Sequence, residues 1–351
     1  MTQDAARTVA AALDTLAARN LSRVETRTLF GSIIAGELAE VEIAALLGAF
    51  KARGETPDEI AGAAEALREA ATPFPRPDYP FADTCGTGGD GVGSLNISTA
   101  VAILSAEMGI PVAKHGNRSV SSKCGSADVL EQLGVRLDAP PAVSRACLDE
   151  TGLCFLFAPQ YHPGVRHAMP VRRALRTRTL FNLLGPLANP ATPPIQLMGV
   201  YDPALVRPIA HTLGKLGCSA ALVVHGAGMD EIALHDVTTA AIWRDGSVAE
   251  LELTPEEAGV HRRPIDALAG GAPEDNARWL RAALAGQAPV AHLEAIAINA
   301  GALAWIAGLA EDLGSGTTLA LETLAGGGAA ERLARWAEAS QAPEPERPDG
   351  A

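Results

Sequence analysis

Residues 83–100 carry the densest run of phosphate-binding residue types in the chain. The segment reads DTCGTGGDGVGSLNISTA, and eight consecutive positions contain the five glycines Gly86, Gly88, Gly89, Gly91 and Gly93. A strand-like run at 79–82 precedes it, and a helical pattern at 98–108 follows it. A strand, a glycine loop and a helix bring backbone N–H groups close to a phosphate, because glycine has no Cβ to block the approach or forbid the dihedral angles. The segment therefore predicts a phosphate-binding loop.

A second polar segment, residues 114–134, follows the next strand-like run at 110–113. It supplies cations, an amide and hydroxyls on a loop that leads into a helix: Lys114, His115, Asn117, Arg118, Ser119, Ser121, Ser122, Lys123 and Ser126. Such groups suit an anion with many oxygens. Loops that follow two successive strands of a parallel sheet open on the same edge, where α/β proteins bind ligands. Ordinary short connections are the alternative, but these loops are longer than usual, so we expect a phosphate-rich ligand.

Two further sets of charged residues could act on such a ligand. Asp230 and Glu231 follow a strand-like run and a glycine turn, and adjacent carboxylates there suit Mg²⁺. An isolated acidic pair is more often a solvated turn, so the metal interpretation depends on the phosphate ligand. Five arginines lie close together in sequence: Arg166, Arg172, Arg173, Arg176 and Arg178. They form either a solvated helix face or an anion site between two parts of the molecule, and the residues alone leave both open.

Composition and charge restrict the class of protein. The 351 residues suffice for two domains or one large one, and a net charge of −13 argues against a nucleic-acid partner. The chain has no long uncharged apolar run and no signal-peptide core at its start, so neither a membrane span nor export is expected. Five cysteines without a CxxC pair are typical of reduced thiols. We therefore predict a cytoplasmic protein.

The first 71 residues predict only helices, roughly four of them. Ser22 with Glu25 forms a capping box, and Thr56 before Pro57 is a second helix start. The segment 72–80 contains four prolines and predicts a stiff crossing into the next part of the chain.

Strands and helices alternate from residue 81 onward, which predicts a largely parallel sheet covered by helices. Strands are expected at 110–113, 135–137, 153–158, 195–201 and 220–224, and helices at 98–108, 126–133, 142–151 and 203–216. The segment 162–187 predicts about one helix and an irregular run that begins FNLLGPL. Residues 238–253 predict a hairpin that turns at Asp245–Gly246. Later helices are expected at 274–284, 293–309 and 319–339, and the proline-rich tail 341–351 predicts disorder.

Seven segments in order resemble the anthranilate phosphoribosyltransferase family. They are GTGGD (86–90), NIST (96–99), KHGNRSVSS (114–122), GSADVLE (125–131), APQYHP (158–163), RTLFNLLGPLANP (178–190) and VHG…DEI (224–232). The resemblance covers nearly the whole chain. It implies an α/β protein with a small all-helical N-terminal domain and a larger domain built on a mostly parallel central sheet, as in nucleoside phosphorylases and phosphoribosyltransferases. The expected domains are 1–72, joined in space by roughly 162–187, and 73–340.

The same resemblance implies an activity. The enzyme would transfer the phosphoribosyl group from 5-phosphoribosyl 1-pyrophosphate to the amine of anthranilate, in tryptophan biosynthesis, as a Mg²⁺-dependent homodimer. A pyrimidine nucleoside phosphorylase-like enzyme of the same fold and a non-catalytic nucleic-acid-binding relative are the alternatives. The GTGGD and KHGNR segments disfavour the first, and the negative charge with the intact acidic pair disfavours the second.

The resemblance also implies the site residues. Contacts to phosphoribosyl pyrophosphate fall on Gly86, Gly89, Asp90, Ser94, Asn96, Ile97, Ser98, Thr99, Lys114, His115, Gly116, Asn117, Arg118, Ser119, Val120, Ser121, Ser122 and Ser126. Those to anthranilate fall on Gly86, Asn117 and Arg172, and the metal ligands on Ser98, Asp230 and Glu231. No acid–base residue is assigned; Lys114 and Mg²⁺ are expected to neutralise the leaving pyrophosphate. Cys124 departs from the family pattern, which often has serine there.

Overall fold

Four helices form the N-terminal part of the computed structural model, which describes residues 3–119 and 123–344. They are α1 (Gln3–Ala18), α2 (Arg23–Ala35), α3 (Glu40–Arg53) and α4 (Pro57–Glu69). The predicted capping box is present, because Ser22 Oγ accepts the N–H of Glu25 while the Glu25 carboxylate accepts the N–H of Ser22 at 2.8 Å. Thr56 caps α4 in the same way, with Pro57 at the first helical position. The expected four helices are confirmed.

A seven-stranded sheet forms the centre of the molecule. Its strands are β1 (Ala82–Gly86), β2 (Val112–Gly116), β3 (Leu153–Phe157), β4 (Ile195–Gly199), β5 (Ala220–His225), β6 (Thr238–Arg244) and β7 (Ser247–Leu253). The order across the sheet is β3-β2-β1-β4-β5-β6-β7. The first five strands are parallel, and β6 and β7 form the predicted antiparallel hairpin. The fold class expected from the sequence is thus confirmed.

Helices cover both faces of this sheet. They are α5 (Ile97–Glu107), α6 (Ser126–Gln132), α7 (Pro141–Thr151), α8 (Ala158–Tyr161), α9 (Met169–Leu175), α10 (Phe181–Leu187), α11 (Val206–Lys215), α12 (Pro273–Leu284), α13 (Val290–Ile306), α14 (Leu313–Gly326) and α15 (Gly328–Ser340). Within the described ranges, no helix has the length and apolar character needed to cross a membrane.

The sheet separates two hydrophobic cores. Successive residues of a strand point to opposite faces, so Leu222 and Val224 pack in one core with α5, α7 and α12–α15. Ala221 and Val223 pack in the other, together with α11, α10 and the N-terminal helices. In this second core α9 lies against α3, and α10 lies against α4. The N-terminal helices therefore share their core with one face of the sheet.

Several predicted element boundaries are wrong. Strands β1 and β2 begin later than expected. They include Asp83 and Lys114, which were predicted to lie in loops but are buried in the sheet, where their opposite charges interact. Residues 135–137 form no strand. The expected irregular run contains helix α10, with Pro186 in its last turn. The expected single helix at 319–339 is two helices, since Gly327 adopts the left-handed conformation (φ 73°) and ends α14.

The strand order creates a crevice at one edge of the sheet. The chain moves outward from β1 to β2 and β3 on one side, and to β4 and β5 on the other. Ligands of open α/β sheets bind at the carboxyl ends of the strands, at such a change of direction. The two polar loops predicted from the sequence leave from β1 and β2, which are neighbouring parallel strands, so both open at this edge as expected.

Candidate active site

A cleft of about 740 Å³ lies at this edge. Most of the residues named from the sequence line it: Gly86, Gly89, Asp90, Ser94, Asn96, Ile97, Ser98, Lys114, His115, Gly116, Asn117, Arg118, Ser119, Ser126, Arg172, Asp230 and Glu231. Thr99 does not, since its side chain is buried in the protein (1 % exposed). Val120, Ser121 and Ser122 lie outside the described residues. The structure thus brings the predicted donor, metal and acceptor residues together in one cavity.

The glycine loop needs its glycines for conformation. Gly88, Gly89, Gly91 and Gly93 all have φ between 65° and 82°, a region that residues with a Cβ adopt only with strain. A Cβ on Gly88 would meet no atom within 4 Å, so the dihedral angle, and not crowding, favours glycine there. The N–H of Gly88 donates to Asp230 Oδ2 at 2.6 Å, which fixes the loop against the acidic pair.

Three other glycines allow the acidic pair to approach the strand ends. A Cβ on Gly86, at the end of β1, would collide with the Asp230 carboxylate. One on Gly199, at the end of β4, would collide with the Asp230 backbone, and one on Gly226, just after β5, with the backbone of Glu231. From the sequence, Gly199 has no predicted role, and Gly226 appears only as the last residue of the VHG segment. Their signal was a glycine at the end of a strand-like run, which also fits an ordinary turn.

Asp230 and Glu231 are held as a strongly interacting pair. Burial and the charge of Asp90 raise the pKa of Asp230 to about 6. Burial and the charge of Asp230 raise the pKa of Glu231 to about 8. Glu231 Oε1 accepts the N–H of Ser98 at 3.2 Å, in the first turn of α5. Burial and mutual repulsion thus oppose ionisation of both carboxyls, and a bound cation would favour their charged forms.

Lys114 lies beneath the acidic pair on strand β2 and is only 1 % exposed. Its Nζ donates to the carbonyl oxygen of Thr84 at 2.5 Å and to Ser98 Oγ at 3.3 Å. Its charge lowers the pKa of Glu231 and of Asp83, although burial of each carboxyl is the larger effect and raises both pKa values. Lys114 therefore orients the Ser98 hydroxyl and offsets buried negative charge.

The second loop is closed by an acid that sequence analysis missed. Asp128, in the first turn of α6, accepts the N–H groups of Ser119 (3.0 Å) and Gly125 (2.8 Å) and the guanidinium of Arg118 (3.0 Å). Arg118 also binds Glu131. The signal was the acid of GSADVLE, three residues after Gly125 at the start of a predicted helix. The loop is thereby folded back onto α6 and presents Asn117 to the cleft.

Arg172 is half-buried, whereas the other four arginines of this cluster are exposed, and it makes no ion pair with any described residue. Its guanidinium lies 5.4 Å from the Phe181 ring, and its Nη1 is 3.6 Å from the Met169 sulfur. Burial lowers its pKa. Arg178 instead stacks on Tyr201, 3.9 Å from the ring centre, and donates to the carbonyl oxygen of Gly89. Arg172 thus has the surroundings expected for an anion site.

A pair of neutral histidines lies between the two polar loops and α10. His115 and His162 stack edge to face with ring centres 5.2 Å apart. Burial lowers their pKa values to about 3 and about 4 respectively, so both rings are uncharged at neutral pH. His115 Nδ1 contacts the carbonyl oxygen of Gly185 at 2.9 Å. His162 also lines the cleft, a position that its sequence context did not indicate.

The fold and the cleft together define a glycosyltransferase with a helical bundle and an α/β domain. Residues 11–71 match the family described as glycosyl transferase family, helical bundle domain, and residues 78–330 match its a/b domain. The chain is 63% identical to the anthranilate phosphoribosyltransferase of Sorangium cellulosum over 332 residues, which is 94% of this chain and 95% of that one. It is 56% identical to that of Aeromonas salmonicida over 322 residues, 92% and 96% of the two chains. The chain belongs to the anthranilate phosphoribosyltransferase family.

Solved structures agree with this assignment. The anthranilate phosphoribosyltransferase of Thermus thermophilus superposes with a TM-score of 0.89 at 43% identity, covering 94% of this chain and 99% of that one. The Saccharomyces cerevisiae protein, solved in complex with phosphoribosyl pyrophosphate and Mg, has a TM-score of 0.86 at 24% identity and covers 95% and 98%. The second likeness concerns the fold only. The curated relatives, matched over 95% and 96% of their length, are both named anthranilate phosphoribosyltransferase, which favours that activity over the phosphorylase-like alternative.

Proposed function

We propose that this cleft transfers the phosphoribosyl group from 5-phosphoribosyl 1-pyrophosphate to the amine of anthranilate, giving N-(5-phosphoribosyl)anthranilate and pyrophosphate in tryptophan biosynthesis. The observation that carries the proposal is the pairing of two kinds of subsite in one cavity. A glycine loop hydrogen-bonded to Asp230, with Glu231 beside it on the N–H of Ser98, suits a diphosphate with its metal. A half-buried arginine that no described acid pairs suits the carboxylate of an aromatic acid.

The sugar donor would bind along the two polar loops. The loop after β1 would hold the diphosphate through backbone N–H groups, with Ser94 and residues 96–99 beside it. The loop after β2 would bind the rest of the donor through the side chains and N–H groups of residues 114–119 and Ser126. The first turn of α5 adds the partial positive charge of a helix N-terminus.

Mg²⁺ fits the residues present. Asp230 and Glu231 are adjacent carboxylates in the cleft. Mg²⁺ normally takes one or two carboxylates and completes its shell with water and substrate phosphate. Ser98, Asp230 and Glu231 would hold the ion. When bound, it would neutralise negative charge on the departing pyrophosphate.

Anthranilate would bind on the α9–α10 side of the cleft. Its carboxylate would pair with Arg172, whose planar fork matches two oxygens. Phe181 lies against the guanidinium and limits the rotation of Arg172, and Gly86 and Asn117 line the same cavity. The amine would then face the donor bound on the two loops.

The chemistry requires charge stabilisation and positioning more than proton transfer. Breaking the bond between C1 and pyrophosphate develops oxocarbenium-like charge, as in glycoside cleavage. The attacking arylamine is neutral at pH 7 and loses its proton after attack, so no strong general base is needed. Lys114 fixes the Ser98 hydroxyl, and the loop N–H groups stabilise the leaving anion. Holding donor and acceptor together supplies the remaining acceleration.

The proposal extends to the organisation of the chain. We take 1–72 with roughly 162–187 as the helical unit and 73–340 as the donor-binding unit, in a cytoplasmic homodimer. Val24 on α2 and Val41 on α3 are 62 % and 74 % exposed in the single chain, which supports an apolar contact between helical units. Light scattering of the purified protein tests the dimer, and a monomer at micromolar concentration would refute it.

The fluorescence of anthranilate provides the test of activity. The folded protein should consume anthranilate when phosphoribosyl pyrophosphate and Mg²⁺ are both present, and should stop when the metal is chelated. Release of pyrophosphate in equal amount, measured by a coupled assay, distinguishes transfer from simple binding. If folded protein leaves the fluorescence unchanged with all components present, the proposed function is wrong.

A further inference from the structure

A segment outside the cleft is attached to the far end of the glycine loop. The N–H of Leu95 donates to the carbonyl oxygen of Leu268 at 3.0 Å, and the N–H of Gly270 donates to that of Gly93 at 2.7 Å. A Cβ on Gly270 would collide with the backbone of Ser94. Residues 268–271, just before α12, therefore form a short backbone pairing with the loop that follows β1.

Asn276, in the first turns of α12, connects this segment to both loops. Its side chain is 1 % exposed. Its Oδ1 accepts the N–H of Gly271 at 2.8 Å, and its Nδ2 donates to Asn96 Oδ1 at 2.8 Å. Its neighbourhood includes the Cys124 side chain, whose pKa is raised by burial of the thiol and lowered, to a smaller extent, by the Asn276 amide. The amide of Asn276 is thus bonded at both its oxygen and its nitrogen within the protein.

Asn96 extends this hydrogen-bond network from Asn276 to the second loop. Its Nδ2 donates to the carbonyl oxygen of Cys124 at 3.2 Å, so the Asn96 amide is bonded at both of its polar atoms. Asn96 belongs to the loop after β1, and Cys124 to the loop after β2. Both residues line the cleft, whereas Asn276 does not. The chain of bonds from Asn276 through Asn96 to Cys124 therefore spans the two donor-binding loops from behind.

We propose that Asn276 is a positioning residue that sets the spacing of the two loops for the sugar donor. The inference rests on the proposed function, since it assigns a role in that same site. Asparagine suits the position because one planar amide has to accept one hydrogen bond and donate another. Aspartate could still accept from Gly271 but could not donate to Asn96. If Asn96 turned its amide to pair with the aspartate, its oxygen would face the Cys124 carbonyl oxygen.

Asn276→Asp and Asn276→Leu test the proposal, with Thr151→Val as the matched control. Thr151 is also buried, and its Oγ1 donates to the carbonyl oxygen of Cys147 at 2.7 Å in α7, so its variant loses a buried hydrogen bond away from both loops. We expect both Asn276 variants to raise the KM for phosphoribosyl pyrophosphate roughly tenfold or more. The KM for anthranilate at saturating donor should change less than about twofold. Thr151→Val should leave both constants unchanged.

The alternative is that Asn276 only stabilises the fold. In that case the Asn276 variants would lower the unfolding temperature as Thr151→Val does and keep the wild-type KM for the donor, which overturns the proposal. An equal rise in the KM for the donor and the KM for anthranilate also overturns the proposal. Calorimetric titration with the donor distinguishes a failure of the proposed function from a failure of the role assigned to Asn276. Without donor binding the proposed function fails, whereas binding with unaltered affinity in folded Asn276 variants overturns only the role of Asn276.

Hydrogen exchange on the wild type keeps the proposal testable if both variants fail to fold. Saturating donor should slow exchange at the Gly270 and Gly271 N–H groups as well as in the two loops, because the network joins them. Protection confined to the loops, with unchanged exchange at residues 268–276, would overturn the inference.

Discussion

Replacing Arg172 with methionine separates binding of the acceptor from stability of the fold. The guanidinium is half-buried, stacks on Phe181 and has no acidic partner among the described residues. Methionine has a similar length, fills the same space and can still contact the Phe181 ring. The variant therefore removes the charge and the hydrogen-bonding fork while changing the packing little.

The size of the effect follows from the surroundings of the side chain. A charge-assisted hydrogen bond contributes about 1.5–3 kcal/mol, which corresponds to roughly ten- to a hundredfold in affinity. Partial exposure moves the expected rise in the KM for anthranilate toward the lower end, about ten- to thirtyfold. The KM for the sugar donor should remain near the wild-type value.

Stability should respond differently from affinity. A half-buried charge without a partner carries a desolvation cost, so its removal favours the folded state. The lost contact with Phe181, about 0.5–1 kcal/mol, opposes this gain. We expect a thermal midpoint equal to that of the wild type within a few degrees, measured without ligand.

Arg173→Met is the control, since Arg173 is the exposed neighbour on the same helix. It should change neither KM, each measured from anthranilate fluorescence with the other substrate saturating. The reasoning is refuted if Arg172→Met weakens both substrates equally, or if Arg173→Met has the same effect on anthranilate. A large fall in thermal midpoint for Arg172→Met would show that the arginine has a structural role.

Three other expectations follow from the same site. Asp230→Asn with Glu231→Gln should abolish Mg²⁺-dependent donor binding in calorimetry while the protein stays folded, and wild-type turnover would contradict the metal role. Gly86→Ala should reduce activity strongly, because its Cβ would collide with the Asp230 carboxylate; unchanged kinetics would show that the carboxylate can move freely. The pKa values of His115 and His162 fall to about 3 and about 4 from 6.5. Their contribution to stability is therefore complete above about pH 6.5 and is lost as the pH falls toward 4. The free energy of unfolding should fall by at most about 2.7 kcal/mol per pH unit for two protons. If denaturant titrations show no fall in this free energy over the same range, the two histidines are not held neutral by burial.

The sequence predicted the elements of this fold better than their boundaries. Alternating apolar and helical patterns identified most of the parallel strands, because these strands are buried on both faces. Asp83 and Lys114 were assigned to loops since charged residues rarely lie in a buried strand. They lie there because each reduces the cost of burying the other, and periodicity along one segment cannot show a partner that is thirty residues away.

The site was predictable where a motif is local. For the glycine loop and for the acidic pair, the residues that predict the function lie within a short segment. Asp128 and Asn276 do not, since each acts by hydrogen-bonding a distant loop or a neighbouring turn. Gly199 and Gly226 were likewise inaccessible, because the reason for a missing Cβ is a segment that packs against them only in the folded chain.

The shared second core has a consequence for synthesis of the protein. Helices α1–α4 leave the ribosome before the sheet, yet the apolar face of α4 is covered by α11, which ends at Lys215, on the order of 150 residues later. At a translation rate of about 5–20 residues per second, this apolar surface stays uncovered for on the order of ten to thirty seconds. Early exposed apolar surface of this kind is what chaperones bind, so the nascent chain should depend on a ribosome-associated chaperone more than a protein whose first domain closes its own core.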